Sequence, residues 1–145
     1  MSRSPRRLAA LATALAVGLT GAALGTTSAR ADSCWNHNGS LMRLKASGNA
    51  RRFLYEAPKA QLRRAGVTRG TLLFEGRKNG NSYQGTARRF SRFCPGNPLV
   101  YSVGGPVRAD QLQVTLIGTY DHHERCEYTG ETRSDRLVFT YSHDC

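Results

Sequence analysis

The sequence predicts an all-β fold: an eight-stranded antiparallel meander barrel with two disulfides at one end, preceded by a cleaved signal peptide. Three observations predict it. Between residues 40 and 142, apolar and polar residues alternate in short runs separated by Gly, Asn and Pro, the period-two texture of half-buried strands. The four cysteines, Cys34, Cys94, Cys126 and Cys145, all follow an apolar leader, and an even count in a small exported domain reads as two disulfides. The runs number eight, and eight antiparallel strands close into an up-and-down barrel without exposed edges.

The leader comes first. Arg3, Arg6 and Arg7 precede an apolar stretch from Leu8 to Gly25, and Ala29 and Ala31 supply the small residues of a cleavage site. About 18 apolar residues could also span a bilayer, but the Ala- and Gly-rich stretch and its small-residue exit favour removal after Ala31. Residues 32–145 then form one small β-barrel domain with no transmembrane segment after cleavage.

Along that domain, "SLMRLKA" (40–46) turns Met42, Leu44 and Ala46 to one face and Arg43 and Lys45 to the other. "RRFLYEA" (51–57) places Phe53 and Tyr55 inward and Arg52 outward. The 58–70 stretch breaks the alternation and fits one or two helical turns, with Arg63 and Arg64 exposed. "TLLFEGR" (71–77) puts Leu72 and Phe74 inward, and Asn79–Gly80 marks a hairpin turn. In 82–93, Tyr83, Gly85 and Ala87 point inward and the phase then slips to Phe90, which predicts a bulge near Arg88–Arg89. The remaining strands are 99–107 with Tyr101 inward, 112–120 with Leu112, Val114 and Leu116 inward, 126–132 with Tyr128 inward, and 136–142 with Leu137, Phe139 and Tyr141 inward.

In such a meander the connections alternate between two ends. Counting from residue 40 puts all four cysteines at one end, as disulfide geometry requires of partners. Closure sets the first strand beside the last, which pairs Cys34 with Cys145 and leaves Cys94 with Cys126. The same count brings His37, His122, His123 and His143 to that end, with Trp35. Trp35, His37, Tyr83, Tyr101 and Tyr128 are candidates for a ligand at the barrel mouth, beside the 58–70 loop. Small inward residues, Gly85 and Gly118 among them, fit either a cavity or sharp strand coiling.

Charge narrows the partners. Four of the 21 Lys and Arg and none of the ten acids lie in residues 1–31, so residues 32–145 carry a formal +7. A basic surface including Arg43, Lys45, Arg52, Arg63, Arg64, Arg88 and Arg92 would be drawn to an anionic envelope component or an acidic polysaccharide. Interleaved aromatics also suit single-stranded nucleic acid, but alternation turns most of them inward and export argues against that partner. A metal at His37, His122, His123 or His143 has suitable ligand types but no recognisable ligand spacing. No cofactor is implied beyond it. There is no G-x-S-x-G serine, and oxidised cysteines remove a thiol nucleophile, so no catalytic residue is assigned. The leading reading is an exported, periplasmic or extracellular, non-enzymatic binding protein. The alternatives are a metal-binding or hydrolytic protein using the histidine end, and a small inhibitor of an envelope hydrolase.

The opening "CWNHNGS" and the "GTLLFEG … GTA" hairpin resemble a group of small exported bacterial proteins of uncharacterised function, along nearly all of residues 32–145. In architecture alone the chain looks like the avidin and lipocalin barrels. It has one tryptophan where avidin-like pockets use several, and Cys34 stands before Trp35 without the lipocalin G-x-W signature.

Overall fold

The computed structural model describes residues 32–145; the expected export signal, residues 1–31, lies outside the described residues. Eight antiparallel strands form a closed barrel in sequence order, as the patterning predicts. They are β1 (Ser33–His37), β2 (Ser40–Ser47), β3 (Ala50–Ala57), β4 (Leu72–Asn79), β5 (Ser82–Arg89), β6 (Leu99–Pro106), β7 (Gln113–Glu124) and β8 (Glu127–Asp144). One short helix, α1 (Ala60–Arg64), lies in the β3–β4 connection. No helix among the described residues is long and apolar enough to cross a membrane.

Three tight turns set the register. Asn38 and Gly39, φ 45° and 78°, make the two-residue β1–β2 turn in which both positions need positive φ. Gly48 and Gly80 each start a two-residue turn with positive φ, closing β2–β3 and β4–β5. An extra residue in β4 at the Phe53–Leu54 register shift lets adjacent Leu73 and Phe74 both face the core. The bulge expected near Arg88–Arg89 is absent: β5 stays in register with β6 through Arg89↔Leu99, and the chain leaves the sheet at Phe90.

The strand count is eight, but its composition differs from the sequence reading. Ser33–His37 is a strand in its own right, and the two segments expected between 126 and 142 are one strand, Glu127–Asp144, so "RSD" (133–135) is sheet and not turn. Both differences reverse the counting of ends. The upper end carries turn 38–39, loops 58–71 and 90–98, and turn 125–126. The lower end carries turns 48–49 and 80–81, loop 107–112, the start of β1 and the end of β8. The disulfides are the expected pairs, Cys34–Cys145 and Cys94–Cys126, with Cα atoms 5.1 and 5.7 Å apart. The expectation that both lie at one end is corrected: Cys94–Cys126 is at the upper end and Cys34–Cys145 at the lower. Two disulfides indicate an oxidising location outside the cytoplasm.

The barrel interior is filled. Phe53 stacks on Phe139 with centroids 3.9 Å apart, and Trp35 meets Phe53 edge-on at 5.8 Å. Met42, Phe74, Val114 and Leu116 are fully buried in the same core, at the packing density of protein interiors. The glycines serve close approach and not a cavity. A Cβ on Gly76 or Gly85, which face each other across β4 and β5, would collide with the Gln84 or Glu75 carbonyl oxygen. Below the core, Arg51 is nearly buried. Its guanidinium donates to the Gly48 and Ala50 carbonyl oxygens, both at 2.8 Å, and to the Tyr83 hydroxyl at 3.2 Å. That side chain plugs the lower end.

Two stability outcomes follow. Gly85→Ala should destabilise the fold by about 1–3 kcal/mol in urea titration, because the barrel wall has no room for the methyl group. Loss of Cys34–Cys145 in the double serine variant should cost about 1 kcal/mol more than loss of Cys94–Cys126, since its enclosed loop is longer, 111 against 32 residues.

Candidate functional site

The upper end holds an open cavity of about 980 Å³ above the packed core. Tyr55 of β3, Leu73 of β4 and Tyr101 of β6 line its walls, together with four further segments. Strand β1 ends there with His37. The β3–β4 connection brings Lys59 and, from α1, Leu62 and Arg64. The strand β5 and the loop after it supply Arg88, Arg89, Phe90 and Arg92. Strand β8 contributes Asp135, Arg136 and Leu137.

α1 is where it is because Leu62 packs on the core while Arg63 and Arg64 stay exposed, the division its sequence predicts. Arg63 donates to the Pro58 carbonyl oxygen at 2.6 Å and steadies the helix start. Phe90 turns back over the core and meets Tyr55 edge-on at 6.0 Å. The Cys94–Cys126 disulfide ties loop 90–98 to the β7–β8 turn. It lies above the last β6–β7 pair, Val103↔Gly118, where the upper parts of β6 and β7 are not paired. A second hollow of about 510 Å³, lined by Val100, Tyr120, His122 and Arg133, occupies that gap.

Six cations face the larger cavity, Lys59, Arg64, Arg88, Arg89, Arg92 and Arg136, against one carboxylate, Asp135. Asp135 is committed: it accepts from Arg89 at 2.7 Å and from the Tyr101 hydroxyl at 2.5 Å. Burial alone would raise its pKa, but the Tyr101 and Arg89 contacts outweigh that and hold it below the usual aspartate value. Burial, with the carboxylate next to it, pushes the Tyr101 phenol well up. Arg88 pairs with Glu75 at 2.9 Å, yet its Nη1 is buried with no partner. Among the described residues, no carboxylate lies within salt-bridge distance of Lys59, Arg64, Arg92 or Arg136. The guanidinium of Arg92 lies 4.8 Å from the Phe93 ring centroid.

His37 is the one histidine at this cavity. Its ring stacks on Phe139 at 4.5 Å, and its Nδ1 lies 2.9 Å from the Val138 carbonyl oxygen, which requires the proton on Nδ1. Burial depresses its pKa below the ordinary histidine value, opposed by the Val138 hydrogen bond.

The other candidates divide. Tyr101 lines the cavity with His37. Trp35 does not rim a mouth: it lies inside the core because β1 is a barrel strand, with Nε1 donating to Ser33 Oγ at 2.8 Å. Tyr83 is buried at the lower end against Arg51. Tyr128, expected inward, is exposed on the part of β8 that rises above the barrel, beside His123. Leu112, also expected inward, is exposed in the lower connection before β7 begins. Of the basic surface, Arg64, Arg88 and Arg92 reach the cavity and Arg63 flanks it. Arg43 is taken by Glu56 at 2.8 Å and Asp32 at 3.1 Å, and Arg52 lies 3.8 Å from Glu75. Lys45 is exposed on the outer wall.

The expected histidine cluster is corrected as well. His143 is at the lower end, because β8 runs unbroken from the upper turn to the C-terminus, while His122 and His123 stay on the upper ribbon. No group of three or more His, Cys, Asp or Glu able to hold a metal occurs among the described residues. The sequence reading missed Lys59, Asp135 and Arg136 as cavity residues and placed Tyr55 only in the core. The Asn38–Gly39 turn signal, read as a hairpin, would have revealed β1 and moved the count of ends.

The depressed His37 pKa has a sign. The unfolded chain takes up this proton below about pH 6.5 while the folded chain resists it. Stability from this group is therefore complete above pH 6.5 and declines as pH falls towards the lowered folded value. Urea titrations between pH 7.5 and 5 should show a decline, at most about 1.4 kcal/mol per pH unit for one proton, that flattens in His37→Phe. An equal decline in the variant would assign it elsewhere.

Compared with known proteins, the chain matches no family model, no curated relative and no solved structure.

Proposed function

We propose that this chain is an exported, non-enzymatic binding protein of the bacterial envelope, periplasmic or extracellular, which engages anionic partners at the upper mouth of the barrel. The resemblance to small exported bacterial proteins belongs to the same proposal. One observation carries it: six cations surround one cavity with a single, already committed carboxylate, and four of the six have no acidic partner. Elsewhere the acids are largely spent on local arginines. Glu56 binds both Arg43 and Arg69, and the Arg43 contact above all holds its carboxyl at about 2. Other cations without an acidic partner among the described residues, Lys45, Arg77 and Lys78 among them, lie apart on the outer surface, whereas four share one cavity, whose low-dielectric walls strengthen their joint pull on an anion.

The reading separates mouth from bulk charge. Lys59→Gln/Arg64→Gln/Arg92→Gln should weaken binding to immobilised dextran sulfate at least about fivefold, the sum of three exposed ion pairs. Lys45→Gln/Arg77→Gln/Lys78→Gln, which removes the same charge from the rest of the surface, should change it much less. Both proteins should respond to salt, because exposed charges are screened. Equal loss in the two triple variants would mean that net charge, and not the mouth, does the binding.

A further inference from the structure

We propose that the upper cavity is a site for one small amphipathic anion: its acid group among the rim cations, its apolar body on Leu62, Leu73 and Phe90, and a polar group at its far end on the Tyr55 hydroxyl. This rests on the cationic-mouth reading and adds the size and two-ended chemistry of the ligand.

Tyr55 is the observation that goes beyond charge. It is 3 % exposed and lines the cavity. A buried tyrosine ordinarily gives its hydroxyl a partner, as Tyr83 does with Arg51 and Tyr101 with Asp135. The Tyr55 hydroxyl has no hydrogen bond among the described residues, and it is not one of the polar atoms sealed from the cavity. Burial pushes its pKa to about 12, so at neutral pH it is a proton donor with free lone pairs. An unpaired phenol at the foot of a cavity is a polar contact waiting for a ligand atom. Arg88 Nη1 also lacks a partner, but it is sealed inside the wall and is not counted among the ligand contacts.

Shape limits the occupant. About 980 Å³ is at the upper end of volumes that enclose small organic ligands. The core below is filled by the Phe53–Phe139 stack, so a long chain cannot thread onward. Inorganic phosphate would use the cations and leave Leu62, Leu73 and Phe90 wet. A polyanion would use the rim and leave Tyr55 unpaired. A compact molecule with an acid at one end, a ring or short chain between, and a hydroxyl or N–H at the other meets all three surfaces. Specificity would come from the buried phenol, because a site built around a polar contact discriminates against ligands that leave it unpaired.

Calorimetric titration of the oxidised protein with three probes tests this: 6-hydroxy-2-naphthoate, 2-naphthoate, which lacks the hydroxyl, and methyl 6-hydroxy-2-naphthoate, which lacks the charge. The first should bind at one equivalent and at least about fivefold tighter than either of the others, the worth of one ordinary hydrogen bond. Tyr55→Phe, checked for unchanged thermal unfolding, should abolish the advantage of the hydroxyl and keep that of the charge. Arg64→Gln/Arg92→Gln should do the reverse. Equal binding of the three probes, binding at several equivalents, or an unchanged hydroxyl preference in Tyr55→Phe overturns the proposal. If the naphthoates fail while dextran sulfate binding still depends on the rim, the two-ended site is wrong and the cationic-mouth reading stands. If both fail, both fall.

Discussion

Everything in this molecule depends on a five-residue strand. β1 pairs with β2 on one side and with β8 on the other, and those two ladders convert an open seven-stranded sheet into a barrel. Closure requires the strand to enter between Met42 and Tyr141 with Trp35 facing inward, so the chain's one tryptophan becomes a core side chain. It also places His37 at the upper rim against Phe139, and it brings Cys34 beside the C-terminus where Cys145 can bond to it. A strand this short contributes little ladder energy by itself. Its hold comes from the covalent tie, from the aromatic contacts of Trp35, and from a turn that Asn38 and Gly39 are suited to make.

The two ends of the barrel are finished differently. At the lower end a buried guanidinium caps the core through the Gly48 turn carbonyl, the Ala50 carbonyl at the start of β3 and a phenol, so charge there is turned inward and used for structure. At the upper end the connections are longer and their cations are not absorbed. Asp135 is the pivot of that end: by accepting from both Arg89 and Tyr101 it fixes the wall between β5, β6 and β8 and withdraws one guanidinium from the ligand-facing set. The Cys94–Cys126 bond fixes the other side, holding loop 90–98 and its Arg92 against the β7–β8 turn. The mouth is thus a framed opening whose charge sits on short, tethered segments.

The architecture was legible because its cause is local. Alternation, two-residue turn signals and an even cysteine count each act over a few residues, and together they specify a closed meander and its disulfide pairing. The failures also have local causes. Residues 126–142 contain Gly130 and the polar run "RSD", which look like a break but form one strand whose upper part faces solvent on both sides and so shows no alternation. "SCWNH" is too short and too polar at its ends to announce a strand by periodicity. Those two misreadings alone moved Cys34, Cys145 and His143 to the wrong end and Trp35 to the rim. The cavity was only partly legible. His37 and Tyr101 were read as mouth candidates and Arg64, Arg88 and Arg92 only as basic surface, whereas the roles of Tyr55 and Asp135 depend on which side chains find partners across the barrel, and no sequence spacing encodes that.

A barrel is usually described as a sheet without edges, but this one keeps two. Above the Val103↔Gly118 pair, β7 has no β6 partner, and β8 has no β1 partner from Phe139 back to Glu127. The upper ribbon, Thr119–Asp135, therefore offers bare backbone on both flanks, the arrangement by which one molecule's strand templates another's. Its side chains resist that use. Asp121, Glu124, Arg125, Glu127, Glu131, Arg133 and Asp135 crowd charge onto it, Gly130 at φ 85° bends it, and the disulfide anchors its tip to the mouth. The ribbon's chemistry is that of a sheet margin kept from recruiting neighbours.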